Sequence, residues 1–474
     1  MGKTKYQSIE NRPLLIREET ITDYQIYRET IVNNLKNIKK NFGIFFTPDW
    51  VVDFMVNLID FSKFTNKKDI NILEPACGLA QFLIGIKRNI PEIFNKAKVY
   101  GVEINEDAIN YLKTLNLGEN IKIIKEDYLL WQPEEFFDLI IGNPPYGIPS
   151  MSYHYPIKIE PTTKEKYKNQ FETWYGKYNV YGAFIEKSIK LLKPEGQLIF
   201  IVPATFMILD DFKKLRKFLS QNGGIAIIYL GSDVFKPEAD ISTVVINFIK
   251  SSKFIHRLEL LENLDSKIRQ IKIKTNWKGE TITFETDFTR ILENICSYRL
   301  GDIYEIRISP RTPEIKNNPY IIKEIPSKKN EYLPLLNGQN LRCNKIIYKN
   351  FTGYWIKKTD IQKLRGYFNI PHIVVGLGFR ENGKVGSAFD KKCFPWMGDV
   401  YHLLRRDGLF NQKFDMSDKE VVKYLNSDYV KKYIKDTYRE ITYHLNISQI
   451  KSIPLPNRKE WKEIQKEGFY EKSN

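Results

Sequence analysis

The apolar run FDLIIG, residues 137–142, has the composition of a buried β-strand and stops on Asn143, Pro144, Pro145 and Tyr146. An asparagine amide is neither an acid nor a base at neutral pH, but its carbonyl accepts a hydrogen bond from an amino group. A planar amino nitrogen has its lone pair delocalised, and acceptors on both N–H groups favour a pyramidal nitrogen with that pair localised. The Pro144 carbonyl supplies the second acceptor, on a backbone stiffened by two prolines that fix φ and donate no competing N–H. Tyr146 offers a flat face to a planar base, worth about 1–3 kcal/mol of stacking. Taken alone, the tetrapeptide also suits a proline-rich turn that closes a strand.

Three further strand-like runs end on acids. These are EPACG after INILE (Glu74), VEIN after KVYG (Glu103) and KEDY after IKIIK (Asp127). Singly, Glu74 reads equally as a helix-capping acid and Glu103 as a surface acid. Together with Asn143 they make a site, because ligands of an open parallel sheet bind beyond the carboxyl ends of its strands. The first turn lacks G-x-G-x-x-G, and acids rather than basic groups ring the site, which disfavours a pyrophosphate. A nucleoside with a positive centre fits better, and S-adenosylmethionine carries a sulfonium, an ammonium, a ribose and an adenine. Glu103 suits the ribose hydroxyls by bidentate hydrogen bonds. Ile104 and Phe184, from the helical stretch YGAF, supply apolar faces for the adenine.

Those side chains need a scaffold. Between residues 70 and 250, seven short β-branched runs alternate with helical segments, which predicts a parallel βαβ sheet. The last two, GIAIIYL and ISTVVINFI, are joined by a link too short for a crossover helix, so an antiparallel edge hairpin is expected. Ahead of the sheet, TPDWVVDFMVNLID predicts a helix with Thr47 as N-cap and Pro48 at its first position. Residues 150–180 read as a long polar-aromatic loop. After residue 251 the alternation fades into short strand-like pieces and a helical DYVKKYIKDTYREI.

Composition locates the partner. The chain of 474 residues has net charge +16. Residues 1–250 hold 32 basic against 30 acidic residues, whereas residues 251–474 hold 41 against 27. Basic residues interleaved with aromatics, as in RCNKIIYKNFTGYWIKK, suit a phosphate-contacting surface. The four cysteines are far apart with no CxxC pair, so buried thiols are expected rather than a metal site or a disulfide framework. No apolar run approaches the roughly 20 residues of a membrane span, and the polar start predicts a cytoplasmic protein.

At this point the sequence resembles the gamma-class N6-adenine DNA methyltransferases, most closely the TaqI-type modification enzymes. FFTPDWVVDFMV, EPACG, VEIN, EDYLLW, GNPPYG, KYNVYGAFIEKSIKLLKPEG, VPATF and VFKPEADISTVVINF follow in the family's order. SPRTPEIKNNP, LPLLNGQNL and YREITYHLNI resemble its target-recognition domain. The resemblance implies an α/β fold: a seven-stranded Rossmann-like S-adenosylmethionine-dependent methyltransferase sheet with a C-terminal mixed α/β DNA target-recognition domain. The expected divisions are an extension over 1–40, a catalytic domain over 41–252 and a recognition domain over 253–474.

Carried over by residue, cofactor contacts come from Thr47, Glu74, Ala76, Glu103, Ile104, Asp127, Tyr128, Asn143 and Phe184. Asp127 would read the cofactor's adenine amino group, and Ile104 with Phe184 would sandwich its ring. Asn143 and Pro144 would hold the target amine, while Tyr146 and Phe235 would stack on a base flipped out of duplex DNA. The role of Phe235 rests on the family alone. Ala80 stands where the family's EPxxGxG pattern has its second glycine, and a displaced loop is expected there. Motif and charge nominate Arg311, Lys316, Gln339, Asn340, Arg380, Arg439 and His444 for DNA.

A monomer is expected, modifying a short adenine-containing palindrome such as TCGA, with a cognate restriction endonuclease acting on the same site. Only about 45 residues precede the cofactor module, too few for a fused nuclease of roughly 100. The alternatives are methyl transfer to RNA or to a protein glutamine amide, and a non-catalytic DNA-binding subunit. The basic second half discriminates against the glutamine version, and the intact acids and NPPY against a decayed enzyme.

Overall fold

All seven β-branched runs form strands: β1 (Asn71–Pro75), β2 (Lys98–Glu103), β3 (Ile121–Lys125), β4 (Phe137–Gly142), β5 (Leu192–Pro203), β6 (Gly224–Gly231) and β7 (Thr243–Ile249). The computed structural model describes residues 46–467 other than 116, 150–156, 238, 263–266, 275–280, 325, 380–382, 399, 408–412 and 442–443. The expected extension over 1–40 therefore lies outside the described residues.

Strands β1 to β5 pair in parallel, and β7 runs antiparallel to both β5 and β6. Two more strands, β8 (His256–Glu262) and β9 (Lys267–Lys274), extend the sheet past β6. The order is β3-β2-β1-β4-β5-β7-β6-β8-β9, so the sheet has nine strands and the β6–β7 pair lies inside it, not at its edge. HRLELLE and KIRQIKIK mix charges among their apolar residues, as strands toward a sheet edge do, and this hid them among the irregular pieces. The order reverses between β1 and β4, which are buried at every position, as a sheet covered on both faces requires. A crevice opens at their carboxyl ends.

Helices set the walls of that crevice. Helix α1 (Asp49–Asn57) buries Val51, Val52, Met55 and Val56 against α2 (Gln81–Asn89). Gly85 permits the close approach, since a Cβ there would lie 2.6 Å from Val52 Cγ1. Pro48, not Thr47, is the N-cap of α1, because the Thr47 hydroxyl is engaged inside the crevice. Helix α3 (Glu106–Thr114) is capped by the Asn105 side chain. The segment expected as a loop contains helix α4 (Pro161–Gln170), opened by Pro161 at its first turn and burying only Tyr167. Helix α5 (Val180–Leu191) is buried almost all round. Helix α6 (Lys213–Asn222) leads into β6.

Beyond the large sheet, β10 (Tyr304–Ile308), β11 (His372–Phe379), β12 (Val385–Asp390) and β13 (Val400–Arg405) form an antiparallel sheet ordered β10-β13-β11-β12. Helix α8 (Asp418–Leu425) packs on β12 and β11, and α9 (Asp428–Tyr438) contacts both α8 and α7 (Asp287–Ile295). One hydrophobic core runs through both halves, and a smaller one surrounds Trp396, Phe368 and Leu341. Cys77 and Cys296 are buried thiols, whereas Cys343 and Cys393 are partly exposed. Among the described residues no helix is long and apolar enough to cross a membrane.

The amino ends of the crevice strands hang on one acid. Asp138 of β4 accepts hydrogen bonds from Lys193 Nζ at 2.6 Å, Lys67 Nζ at 2.7 Å and the Asn71 N–H at 2.9 Å. Burial pushes its carboxyl up, but the Lys193 and Lys67 hydrogen bonds outweigh it and hold the pKa below the usual aspartate value. A folded pKa below the unfolded one gives stability that is present above the unfolded value and lost as pH falls through the folded value. Asp138→Asn should cost about 1.5–3 kcal/mol at pH 7 in chemical denaturation and flatten the acid limb of the stability curve. An unchanged denaturation midpoint would count against this role.

Candidate active site

The turn after β1 wraps its acid in backbone donors. Glu74 accepts the Leu83 N–H at 3.0 Å and the Phe82 N–H at 3.4 Å, so it does cap α2, and it also lines the crevice. Glu103, at the end of β2, accepts the N–H groups of Gly78, Ile104 and Asn105, each at 2.8 Å. Burial pushes the Glu74 carboxyl up to about 8 despite its two backbone donors, and the neighbouring Glu103 adds to the rise. Burial raises Glu103 as well. Two buried acids with elevated pKa values form a cavity that gains free energy when a positive charge enters.

That cavity has a volume of about 410 Å³, within the range of small-molecule sites. All nine residues nominated for the cofactor line it: Thr47, Glu74, Ala76, Glu103, Ile104, Asp127, Tyr128, Asn143 and Phe184. Ile104 is exposed at the rim and Phe184 buried within, so the two are available as apolar walls. The Phe184 ring lies 4.9 Å from that of Tyr128. Asp127 accepts the Leu129 N–H at 2.9 Å on one oxygen and the Tyr167 hydroxyl at 2.5 Å on the other. The donor set fits S-adenosylmethionine: acids for its cationic centres and ribose, a carboxylate for its adenine amino group, and apolar walls for its ring.

Sequence reasoning missed Tyr167 and Gln81, which line this pocket, and Lys187, which packs on the lining Tyr128. Tyr167 was hidden in a lysine-rich stretch without an apolar stripe. Gln81 accepts the Thr47 N–H at 3.2 Å and donates to the Thr47 carbonyl at 3.1 Å. Lys187, one turn beyond Phe184, is buried and donates to the carbonyls of Leu129 and Trp131, with its ammonium 5.1 Å from the Tyr128 ring. Burial lowers its pKa to about 8. The signal for Lys187 was present: a lysine within the apolar face of YGAFIEKSI.

At the end of β4, Asn143 Nδ2 donates to Thr47 Oγ1 at 3.1 Å. This bond fixes the amide, placing its donor end on Thr47 and its carbonyl end away from it. Pro144 joins Asn143 in the cavity wall, but Tyr146 and Phe235 do not. Both rings are buried, 6.2 Å apart and edge to face, and the Tyr146 hydroxyl donates to the Ile201 carbonyl at 3.0 Å.

The residues nominated for DNA part company. Arg311, Lys316, Gln339 and His444 are exposed. Arg380 lies outside the described residues. Asn340 is fully buried: its amide donates to the carbonyls of Ile347 at 2.5 Å and Lys349 at 2.7 Å, and its oxygen accepts the Asn337 N–H. It therefore holds a turn together instead of facing a ligand. Arg439 packs its guanidinium 4.9 Å from the Phe284 ring and 6.0 Å from Tyr229, a contact within the protein.

A folded pKa above the unfolded one means that the folded state holds more protons, so Glu74 makes stability fall as pH rises from about 4.5 to about 8. Glu74→Gln still accepts a backbone N–H but does not titrate. Without cofactor, its unfolding temperature should exceed that of the parent at pH 8 and lose the parent's fall between pH 5 and 8. Its affinity for S-adenosylmethionine, by titration calorimetry, should drop at least about tenfold. A variant that keeps the parent's pH slope would refute the assignment of that slope to Glu74.

Comparison with known proteins agrees with this geometry. Residues 70–235 match the Eco57I restriction-modification methylase family, and residues 333–455 match the TaqI-like C-terminal specificity domain. The chain is 38% identical over 427 residues to the type II methyltransferase M.TthHB8I of Thermus thermophilus, covering 90% of this chain and 93% of that protein. It is 32% identical over 186 residues to the modification methylase CviBIII of Paramecium bursaria Chlorella virus NC1A, covering 39% of this chain and 44% of that one. A nuclease-deletion mutant of the type ISP restriction-modification enzyme LlaGI, solved with a DNA substrate mimic, shares the fold, with a TM-score of 0.55 at 15% identity over 95% of this chain and 58% of that one. With a cofactor crevice in the methylase-like region, a specificity domain after it and a relative that matches along nearly the whole length, the chain belongs to the type II methyltransferases of restriction-modification systems, which bind S-adenosylmethionine and methylate DNA.

Proposed function

We propose that the methyl acceptor is the exocyclic N6 amino group of an adenine in duplex DNA, presented after the base has left the stack. The observation that carries this reading is the Asn143 amide, fixed by Thr47 at the mouth of the cofactor cavity. Its carbonyl and that of Pro144 suit the two N–H groups of a planar amine. When bound, S-adenosylmethionine supplies an electrophilic methyl on its sulfonium.

The protein's own residues provide position and polarity. Glu74 and Glu103 draw the cationic cofactor into a buried site, and Asp127 with Tyr167 sets its adenine. The two carbonyls localise the lone pair of the acceptor amine along the line of transfer. Asn143 takes no proton; the alkylated amine is itself acidic and loses one afterwards. Proximity and orientation supply most of the rate on this reading. Extrusion of the base costs a few kcal/mol, which stacking and phosphate contacts offset.

Tyr146 and Phe235, buried side by side, serve as the stacking faces for the base on this reading. The exposed Arg311, Lys316, Gln339 and His444 serve as DNA contacts on the same reading. The enzyme acts as a cytoplasmic monomer, with a cognate endonuclease directed at the same short site.

Incubation with labelled cofactor and plasmid DNA, followed by nucleoside digestion, should yield N6-methyladenine; label in N4-methylcytosine or in RNA alone would overturn the reading. Asn143→Ala should lower transfer by at least about a thousandfold and lower cofactor affinity by far less. DNA affinity should fall by roughly 10³-fold or more between 50 and 200 mM salt if six or more phosphates are contacted. A flat salt response would rule out the basic half as a clamp.

A further inference from the structure

We propose that Glu440 is a positioning residue through which the specificity domain holds the loop that carries Phe235. The link between β6 and β7 has two feet, Ser232 directly after β6 and Ser242 directly before β7, both buried. Their hydroxyls donate to the same distant residue. Ser232 Oγ reaches Glu440 Oε2 at 3.0 Å, and Ser242 Oγ reaches the Glu440 main-chain carbonyl at 2.5 Å. Tyr229 Oη, on β6, donates in turn to Ser242 Oγ at 3.4 Å.

The backbone around Glu440 is shaped for this contact. Arg439 ends helix α9 with φ 48° and ψ −138°, a left-handed conformation that a residue with a Cβ adopts only under constraint. Its guanidinium packs on Tyr229 and Phe284, and this turns the next residue toward the two serines. A few residues on, the Leu445 N–H donates to the Leu377 carbonyl of β11 at 2.9 Å, and Tyr401 of β13 donates its hydroxyl to the Leu445 carbonyl at 3.0 Å. Thus Glu440 holds both feet of the Phe235 loop while Leu445, five positions on, is tied to the recognition sheet, so a displacement of that sheet on DNA reaches the loop through Glu440. The inference rests on the proposal that Phe235 stacks on the extruded base.

The test combines single-turnover methylation with the fluorescence of 2-aminopurine at the target position. Glu440→Ala should lower the rate about tenfold, as expected for one lost hydrogen bond to a charged acceptor. The fluorescence of the bound analogue should change, DNA and cofactor affinities should stay within about twofold, and Glu440→Gln, which keeps an acceptor oxygen, should restore the rate. In a Phe235→Ala background, Glu440→Ala should add no further loss. If Phe235→Ala behaves as wild type in both assays, the stacking role fails and the coupling fails with it. If Phe235→Ala is impaired while Glu440→Ala is not, or if the two losses are additive, the coupling alone is overturned. A thermal melt of Glu440→Ala more than a few degrees below the parent, together with weakened DNA binding, would show a merely structural residue and also overturn it.

Discussion

Keeping the carboxyl groups of Glu74 and Glu103 out of water is the constraint around which the crevice is built. An isolated buried carboxylate is costly, and backbone N–H groups are the nearest donors that soften the cost. Phe82 and Leu83 serve one acid, and Gly78, Ile104 and Asn105 the other. To aim those groups the turn after β1 winds through left-handed conformations at Ala76 (φ 52°), Gly78 (φ 53°) and Ala80 (φ 58°). Ala80 occupies a conformation that suits glycine, at a cost of about 1–2 kcal/mol. Its carbonyl still receives the Ile84 N–H at 2.9 Å, so the missing glycine has not cost α2 its first turn. The elevated pKa values that remain are a reservoir: a cation relieves them, whereas a neutral ligand of the same shape does not.

The same turn is joined to the acceptor end of the reaction. Gln81, the first residue of α2, clasps the main chain of Thr47 in both directions, and Thr47 receives the Asn143 amide. A side chain beside the cofactor turn thus governs, through one threonine, which end of the Asn143 amide faces which partner. Helix α1 gives this arrangement its rigidity, because its apolar face is locked against α2 at Gly85. On the proposed reading, positioning of the cofactor and polarity toward the acceptor are set by one packed unit, as a reaction governed by orientation requires.

How legible this was in the sequence follows from the range of the interactions. Strands buried on both faces read as continuous β-branched runs, and their terminal residues follow at once. Hence Glu74, Glu103, Asp127 and Asn143, at or just beyond the strand ends, were legible in the sequence, whereas Gln81 and Tyr167 of the same lining were not. Helix α4 was not, because PTTKEKYKNQ buries one tyrosine and has no apolar stripe to count. Thr47 looked like an N-cap because Thr-Pro-Asp satisfies every local rule. The contact that takes its hydroxyl comes from a residue 96 positions away. Asn340 was misplaced, and the packing of Arg439 was hidden, for a related reason. A polar residue in a turn-rich, basic segment looks solvated, yet one completes a buried turn and the other packs on two aromatic rings.

The two halves of the chain are linked by forces of different range. Exposed lysines lie over exposed aromatic rings in the second half, as at Lys363 with Tyr320 and Lys349 with Phe351, and such charges act on a polyanion at a distance that salt sets. The contacts of Glu440 with Ser232 and Ser242 are short-range hydrogen bonds whose donors are neutral and buried, so they depend on geometry more than on long-range charge. On the proposed reading, affinity for DNA is carried by long-range charge and orientation of the Phe235 loop by short-range hydrogen bonds, so the two are separable.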